Sequence, residues 1–517
     1  MTTNRLRRLA ASLLAASSIL VAGAAMAQDA CKPGGTLRMA RDMTARALVP
    51  WDSEGNGSIF VQVQMYDRLV EQMPGTIDLQ PGLAESWDIS ADNLTYTFHL
   101  RQGVKFSNGD PVTAEDVKFS LDRMINKDVQ VGWNFLMGHI AGFEVVDDKT
   151  VAMKMNSVDA SVLYTLAIPA GGIISKKAYE ALGEEGFRAA PVGSGPFMLA
   201  EFKADEGVKL VRNPNYWREG KPYLDGVDFE KIQDDNARML KIQSGEDDVA
   251  QTVPFGVAKQ IDALDGITVL SEPYMVMDSI WLNNEAAPLN EKAVRQALNY
   301  AAPKEIINDV VFDGYGTIQN HMIALNRFWD STVPAYPYDI EKAKELLASS
   351  SVPNGFNLPM LVGSGDTASL QTAEILQAEY AKIGVTVDIQ VLDNAAINDA
   401  YWSGNYLAKT WGPSSISSDV PDDSEQAAIM LSYSDEWKGF GTRYKSDKAI
   451  ELVAAGVATT DEAERKKIYN ELQRVAMEDA PQVALIFSPT MTAVSDKLQN
   501  FQTLTSGWWR LEDVCFK

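Results

Sequence analysis

The run Tyr96-Thr97-Phe98-His99-Leu100, the turn Asn108-Gly109-Asp110-Pro111, and Thr113-Ala114-Glu115-Asp116-Val117 with Leu121, Met124 and Ile125 beyond it decide the reading of the fold. Apolar members alternate in the first segment, which predicts a strand with one buried face. Asn-Gly and Asp-Pro then punctuate the chain. Thr113 is placed to cap a helix with Asp116 three residues on, and Val117, Leu121, Met124 and Ile125 follow at helical spacing. Strand, turn and capped helix together form one compact unit of an α/β protein.

The same logic recurs outward from this unit. Val294, Ala297, Leu298 and Ala301 make one apolar helical face, and Ala373, Leu376, Tyr380 and Ile383 make another that Gly384 should terminate. Val385, Val387, Ile389 and Val391 alternate as the strand that follows. The stretches 285–290 and 481–489 lack such periodicity and are expected as hinge strands or crossovers between lobes. No low-complexity tract, heptad or fixed-period repeat breaks this rhythm.

At the N-terminus, Arg5, Arg7 and Arg8 precede an apolar stretch from Leu9 to Ala25 and the small-residue triplet Ala25-Met26-Ala27. That is the layout of a cleaved export signal over residues 1–27, with Gln28 as the mature N-terminus and a periplasmic destination. The stretch is short for a membrane span and rich in Ala and Ser. The polar Gln28-Asp29 ahead of Cys31 does not fit a lipoprotein signal. The 517-residue chain carries a formal charge of −24, so nucleic acid and anionic membrane surfaces are poor partners for it. Its two cysteines, Cys31 and Cys515, lie at opposite ends of an exported chain and are expected to pair. Pairing would place both chain ends in one lobe, so that the middle of the chain leaves that lobe and returns.

A family resemblance rests on motifs spread along the chain. They are Tyr66-Asp67-Arg68-Leu69-Val70, Pro81-Gly82-Leu83-Ala84-Glu85-Ser86-Trp87, Phe106 to Val117, Gly193-Ser194-Gly195-Pro196-Phe197, Arg212-Asn213-Pro214-Asn215-Tyr216-Trp217, Val294-Arg295-Gln296-Ala297-Leu298, and Glu341 to Leu347. In these the sequence resembles the extracellular solute-binding proteins of family five, the dipeptide- and oligopeptide-binding group of ABC importers. The resemblance implies a two-lobed α/β periplasmic-binding-protein fold of type II, of the large cluster C kind with an extra subdomain in the first lobe, and a cleft between the lobes. Residues 28–285 plus 488–517 would form the first lobe, including an inserted subdomain at about 66–199, and 286–487 the second. It further implies a monomer that delivers solute to a permease and ATPase complex, with no cofactor.

By the same resemblance Trp51, the Trp133-Asn134-Phe135 loop, the strand holding Tyr274, Met277 and Trp281, and the Trp411 loop are candidates to line the cleft. Aromatic faces and a few fixed polar atoms are what such a cleft needs. Peptide-binding relatives carry an acid after the Gly-Trp loop for the peptide amine, and dipeptide binders an arginine for the carboxylate. Here Ser414 stands where the acid is expected, with Asp419 in reach only if the loop folds back. The arginine position falls in Leu361-Val362-Gly363-Ser364-Gly365-Asp366, which has no cation. Hydroxyls plus Asp366 suit a polyol, a glycoside or a cationic solute better than a dipeptide zwitterion. Recognition of longer peptides through backbone contacts remains the second reading, and presentation of ligand to a membrane receptor a third.

Enzyme chemistry finds little support. His99, His139 and His321 are too scattered for a metal-spaced pair, and Gly193-Ser194-Gly195 lacks the spacing of a nucleophile elbow. No phosphate loop or dinucleotide fingerprint is present. The acid pairs Asp234-Asp235, Asp247-Asp248 and Asp422-Asp423 read as solvated turn residues.

Overall fold

A computed structural model describes residues 31–52, 56–126, 128–129, 134–323, 327–411, 420, 422–435, 438–504 and 507–517. In chain order, the elements that position the site begin with β1 (Thr36–Arg41) and α1 (Asn56–Met65). A subdomain follows, with β2 (Ala84–Ile89), β3 (Thr95–Leu100), α2 (Ala114–Ile125), β4 (Ile140–Asp147) and β5 (Thr150–Met155). Then come β6 (Phe197–Lys203), β7 (Gly207–Arg212), β8 (Gly226–Lys231), α3 (Asp235–Ser244), β9 (Val249–Gln251) and the long β10 (Ile267–Leu282). The remainder holds β11 (Asn357–Gly363), α4 (Thr367–Tyr380), β12 (Thr386–Leu392), β13 (Ala408–Trp411), α5 (Asp447–Ala458), α6 (Glu462–Asp479) and the long β14 (Gln482–Ser495).

The local signals in the sequence act as expected. Tyr96, Phe98 and Leu100 of β3 are buried while their neighbours are half exposed. Thr113 and Asp116 form a reciprocal capping box at α2, satisfying two backbone donors that the helix cannot satisfy itself. Gly384 adopts the left-handed conformation that closes the helical segment after α4. The strands β2-β3-β5-β4 make an antiparallel sheet of their own.

The main sheet runs β12-β11-β13-β10-β14-β9-β1-β8-β7-β6, with a short eleventh strand, Thr317–Ile318, beside β14. β10 and β14 pair antiparallel from Ile267↔Ser495 to Trp281↔Gln482, with an irregularity between Glu272 and Val276. Along β10 the side chains alternate between two apolar clusters, Met277 and Trp281 entering one and Ile280 and Leu282 the other. These two strands carry the chain across the molecule. The stretch 285–290 lies just past β10, where Leu289 is fully buried and the Ala286 amide bonds to the Asn283 carbonyl.

Cys31 and Cys515 are disulfide-bonded, with Cα atoms 5.4 Å apart. The Lys32 amide also donates to the Phe516 carbonyl, and the largest apolar cluster draws on Leu37 and Met39 at one end of the chain and Trp508, Trp509 and Leu511 at the other. Both ends thus belong to one body. Opening the disulfide with a reductant is expected to lower unfolding stability by about 2–4 kcal/mol, read as a lower urea midpoint. An unchanged midpoint would show that non-covalent packing alone holds the ends together.

The acid pairs are not uniformly solvated. Asp234 caps α3, and Asp247 is buried beside Lys241. Asp422 and Asp423 are fully buried because each has dedicated donors: Arg465 holds Asp422 through two bonds of 2.7 and 2.8 Å, and the amides of Arg327 and Phe328 bond to Asp423. Trp217 donates to Asp67 and Trp87 packs near Phe98, both as scaffold.

A candidate ligand cleft

Strand directions locate the cleft. β10 leaves the body that holds the chain ends and enters the second. β14 is antiparallel to β10, β9 is antiparallel to β14, and β1 and β8 are parallel to β9. All three therefore run toward the second body. β13 is antiparallel to β10, and β11 and β12 run with β13, so these three point back toward the first. Two sets of carboxyl ends face each other: Arg41, Lys231 and Gln251 on one side, Gly363, Leu392 and Trp411 on the other. In open parallel sheets the crevice outside the carboxyl ends of the strands is where ligands bind.

The second wall is polar. Past Gly363 the chain turns through Ser364 and Gly365 into Asp366, whose carboxylate caps α4 by accepting from the Ser369 amide at 2.9 Å and hydroxyl at 2.7 Å. Beneath it, Asp278 of β10 accepts from the Ser488 hydroxyl at 2.6 Å. Ser279, Ser369, Thr372 and Thr410 surround the same small cavity. Burial drives the Asp278 carboxyl well above its ordinary value, and Asp366 adds to the rise. A carboxyl raised on folding stabilises the fold most at low pH, and that contribution fades as pH climbs above the unfolded value. Asp278→Asn is therefore expected to flatten the decline of stability with rising pH, measured as urea midpoints across a pH series. A parallel pair of curves would contradict the assignment.

The two bodies touch at the rim away from β10 and β14. The Ala160 amide donates to the Val457 carbonyl at 2.9 Å. Arg327 bonds to the Tyr164 hydroxyl at 2.6 Å and lies 3.7 Å from Asp78 on one side and 3.3 Å from Glu462 on the other. Val420 packs into the apolar cluster of the opposite body. The arrangement is a closed clasp.

The expected site residues fall into three groups. Trp51 is buried between Tyr179 and Phe187, its indole donating to Glu184 with the Arg123 guanidinium 4.4 Å from its ring. Met277 and Trp281 are fully buried, and Trp281 meets Tyr401, Phe440 and the Lys409 ammonium. Burial lowers Lys409 to about 8. Among the described members of the set, Asp366 alone is half exposed, past the carboxyl end of β11. Trp133, Ser414 and Asp419, and the side chains of Phe135, Tyr274 and Trp411, lie outside the described residues. Sequence reasoning passed over Arg41, Asp278 and the Arg327 clasp. Among the described residues no three His, Cys, Asp or Glu side chains converge as metal ligands, and no helix is long and apolar enough to cross a membrane.

Comparison with known proteins agrees with this architecture. A family model described as bacterial extracellular solute-binding proteins, family 5, middle region, matches residues 78–438. The glutathione-binding protein GsiB of Pectobacterium atrosepticum is 30% identical over 483 residues, covering 91% of this chain and 92% of its own. Heme-binding protein A of Haemophilus influenzae is 30% identical over 465 residues, covering 85% and 84%. The periplasmic binding protein DppA of Helicobacter pylori, solved in complex with the peptide STSA, superposes with a TM-score of 0.81 at 27% identity, over 94% of this chain and 98% of that one.

Proposed function

Because this chain belongs to the bacterial extracellular solute-binding proteins of family 5, the periplasmic binding components of ABC importers, we propose that it captures a small polar solute other than a dipeptide between its lobes and presents it to a permease. The observation that carries this reading is the opposition of the two sets of parallel-strand carboxyl ends, joined by β10 and β14. The finer ligand assignment leans on the second wall. Asp366 stands half exposed past the end of β11 with Ser364 exposed beside it, and Gly363 to Asp366 supply no cation for a dipeptide carboxylate. A polyol, a glycoside or a solute with a cationic group would find partners at such a wall. The peptide held by the Helicobacter pylori relative supports a second reading, in which a longer peptide is bound through its backbone.

Residues 28–285 with 488–517, including a subdomain at about 66–199, act as one lobe and 286–487 as the other, in a protein exported by cleavage after residue 27 and working as a monomer. Its relatives are binding proteins and not enzymes, and the solute leaves unchanged. Solute favours the closed form to the extent that it binds that form better. Small-angle scattering should show a smaller radius of gyration with solute than without. Equal radii would count against capture by closure. Arg327→Ala removes the charged centre of the clasp and should weaken solute binding about tenfold, or about 1.4 kcal/mol, seen as faster dissociation. Unaltered dissociation would mean that the clasp contributes nothing to closure.

A further inference from the structure

We propose that Arg41 and the first turn of α1 form an oxyanion subsite in the first-lobe wall, so that the solute carries a carboxylate or a similar anionic group. The proposal rests on the reading that the cleft holds the solute.

Arg41 is the last residue of β1, at one of the carboxyl ends that face the second lobe. Strand alternation sends Leu37, Met39 and Arg41 to one face, and all three are buried. The guanidinium is held rigidly. Its Nε donates to Gln251 Oε1 at 2.9 Å, its Nη1 to the Gly57 carbonyl at 3.3 Å, and its central carbon lies 4.4 Å from the Phe60 ring and 5.4 Å from the Trp509 ring. Among the described residues its Nη2 has no partner. Among the described residues no carboxylate forms an ion pair with it, and Asp42 attracts it without reaching it. Burial lowers Arg41 to about 10, with Asp42 opposing the fall. Two more buried side-chain atoms without partners among the described residues, Asp42 Oδ1 and Thr44 Oγ1, follow within three residues of it.

A buried charge lacking a counter-ion is costly, and such sites in native proteins have a reason. Here the surroundings suggest one. Arg41 bonds to the carbonyl of Gly57 at the start of α1, a helix of 10 residues whose first amides have no carbonyl of their own helix to bond. A β-carbon on Gly57 would lie 2.1 Å from the Thr44 carbonyl oxygen, so segment 42–47 is pressed against that helix start. Strand end, loop and the first turn of α1 meet at the guanidinium, and a helix start favours negative charge near it. An oxyanion there would take the free Nη2 and supply the missing counter-charge. Arginine fits planar carboxylates well because its donors are fixed in a fork.

The test uses the mature, disulfide-bonded protein freed of co-purified solute, with D-gluconate and inorganic phosphate as anionic probes and D-glucitol as a neutral one. At least one anion should raise the melting temperature and shift tryptophan emission saturably, since Trp509 lies against Arg41. Arg41→Met should need at least tenfold more probe for the same response. In probe-free buffer it should melt at or above the wild-type temperature, because the unpaired charge is gone. Gln251→Glu provides a second variant, placing a carboxylate at the existing 2.9 Å contact; it should melt higher and lose the anion response. Absence of any saturable anion response in the wild type, or an undiminished one in both variants, overturns the subsite. Recovery of a bound solute without an acidic group would overturn the subsite alone. An anion response at Arg41 in a protein that takes up no solute would overturn the binding reading alone.

Discussion

Asp422→Ala is expected to lower unfolding stability by about 3–5 kcal/mol. The pair it breaks is buried on both sides. Asp422 accepts two bonds from Arg465, which also donates to the Gly456 carbonyl and lies near the rings of Phe328 and Tyr469. Burial alone would raise the Asp422 carboxyl, but the hydrogen bonds and charge of Arg465 outweigh it and hold the group below the usual range. Truncation would leave a guanidinium in an apolar setting with no counter-charge. A carboxyl depressed in this way stabilises the fold above its unfolded pKa and loses that contribution as pH falls through the folded one. The deficit of the variant should therefore shrink in strong acid. Urea unfolding of both proteins at neutral and acid pH reads it. A loss under 1 kcal/mol at neutral pH would mean that solvent reaches the pair. The same change should loosen closure, because Asp422 lies two residues along the chain from Val420, which packs into the first lobe.

Trp281→Ala is the second large effect, at about 3–5 kcal/mol of stability. Trp281 is fully buried, with Tyr401 at 5.7 Å and Phe440 at 5.4 Å between ring centres. Removing it empties a space that a rigid sheet on one side and two aromatic rings on the other cannot fill by collapsing. Solute affinity, measured where the variant is still folded, should change no more than threefold. A stable variant with lost affinity would show that Trp281 touches solute.

These two residues show where sequence carried the argument and where it stopped. Strand periodicity at Tyr96 to Leu100, the Thr113 to Asp116 box and Gly384 are local rules, and local rules were readable. The pairing of Cys31 with Cys515 was readable because few alternatives existed. Trp281 was harder, since an aromatic residue beside a cleft has the same letter whether it turns inward or outward. Asp422 failed as a solvated acid because its partner is Arg465, on another element, and the pairing follows from the fold. Arg41 and Asp278 did leave a signal: each puts an ionisable residue in a strand among apolar ones, after Leu37 and Met39 in one case and between Val276 and Ile280 in the other. An ionisable group in such surroundings has to be neutralised, paired or used, and which of these applies follows only from the fold.

The most direct measurement is native mass spectrometry of freshly purified mature protein, followed by identification of whatever denaturation releases. One small polar molecule per chain, released unchanged and not a dipeptide, is the predicted result. A dipeptide, or a chemically altered product formed on incubation with the solute, would contradict the account.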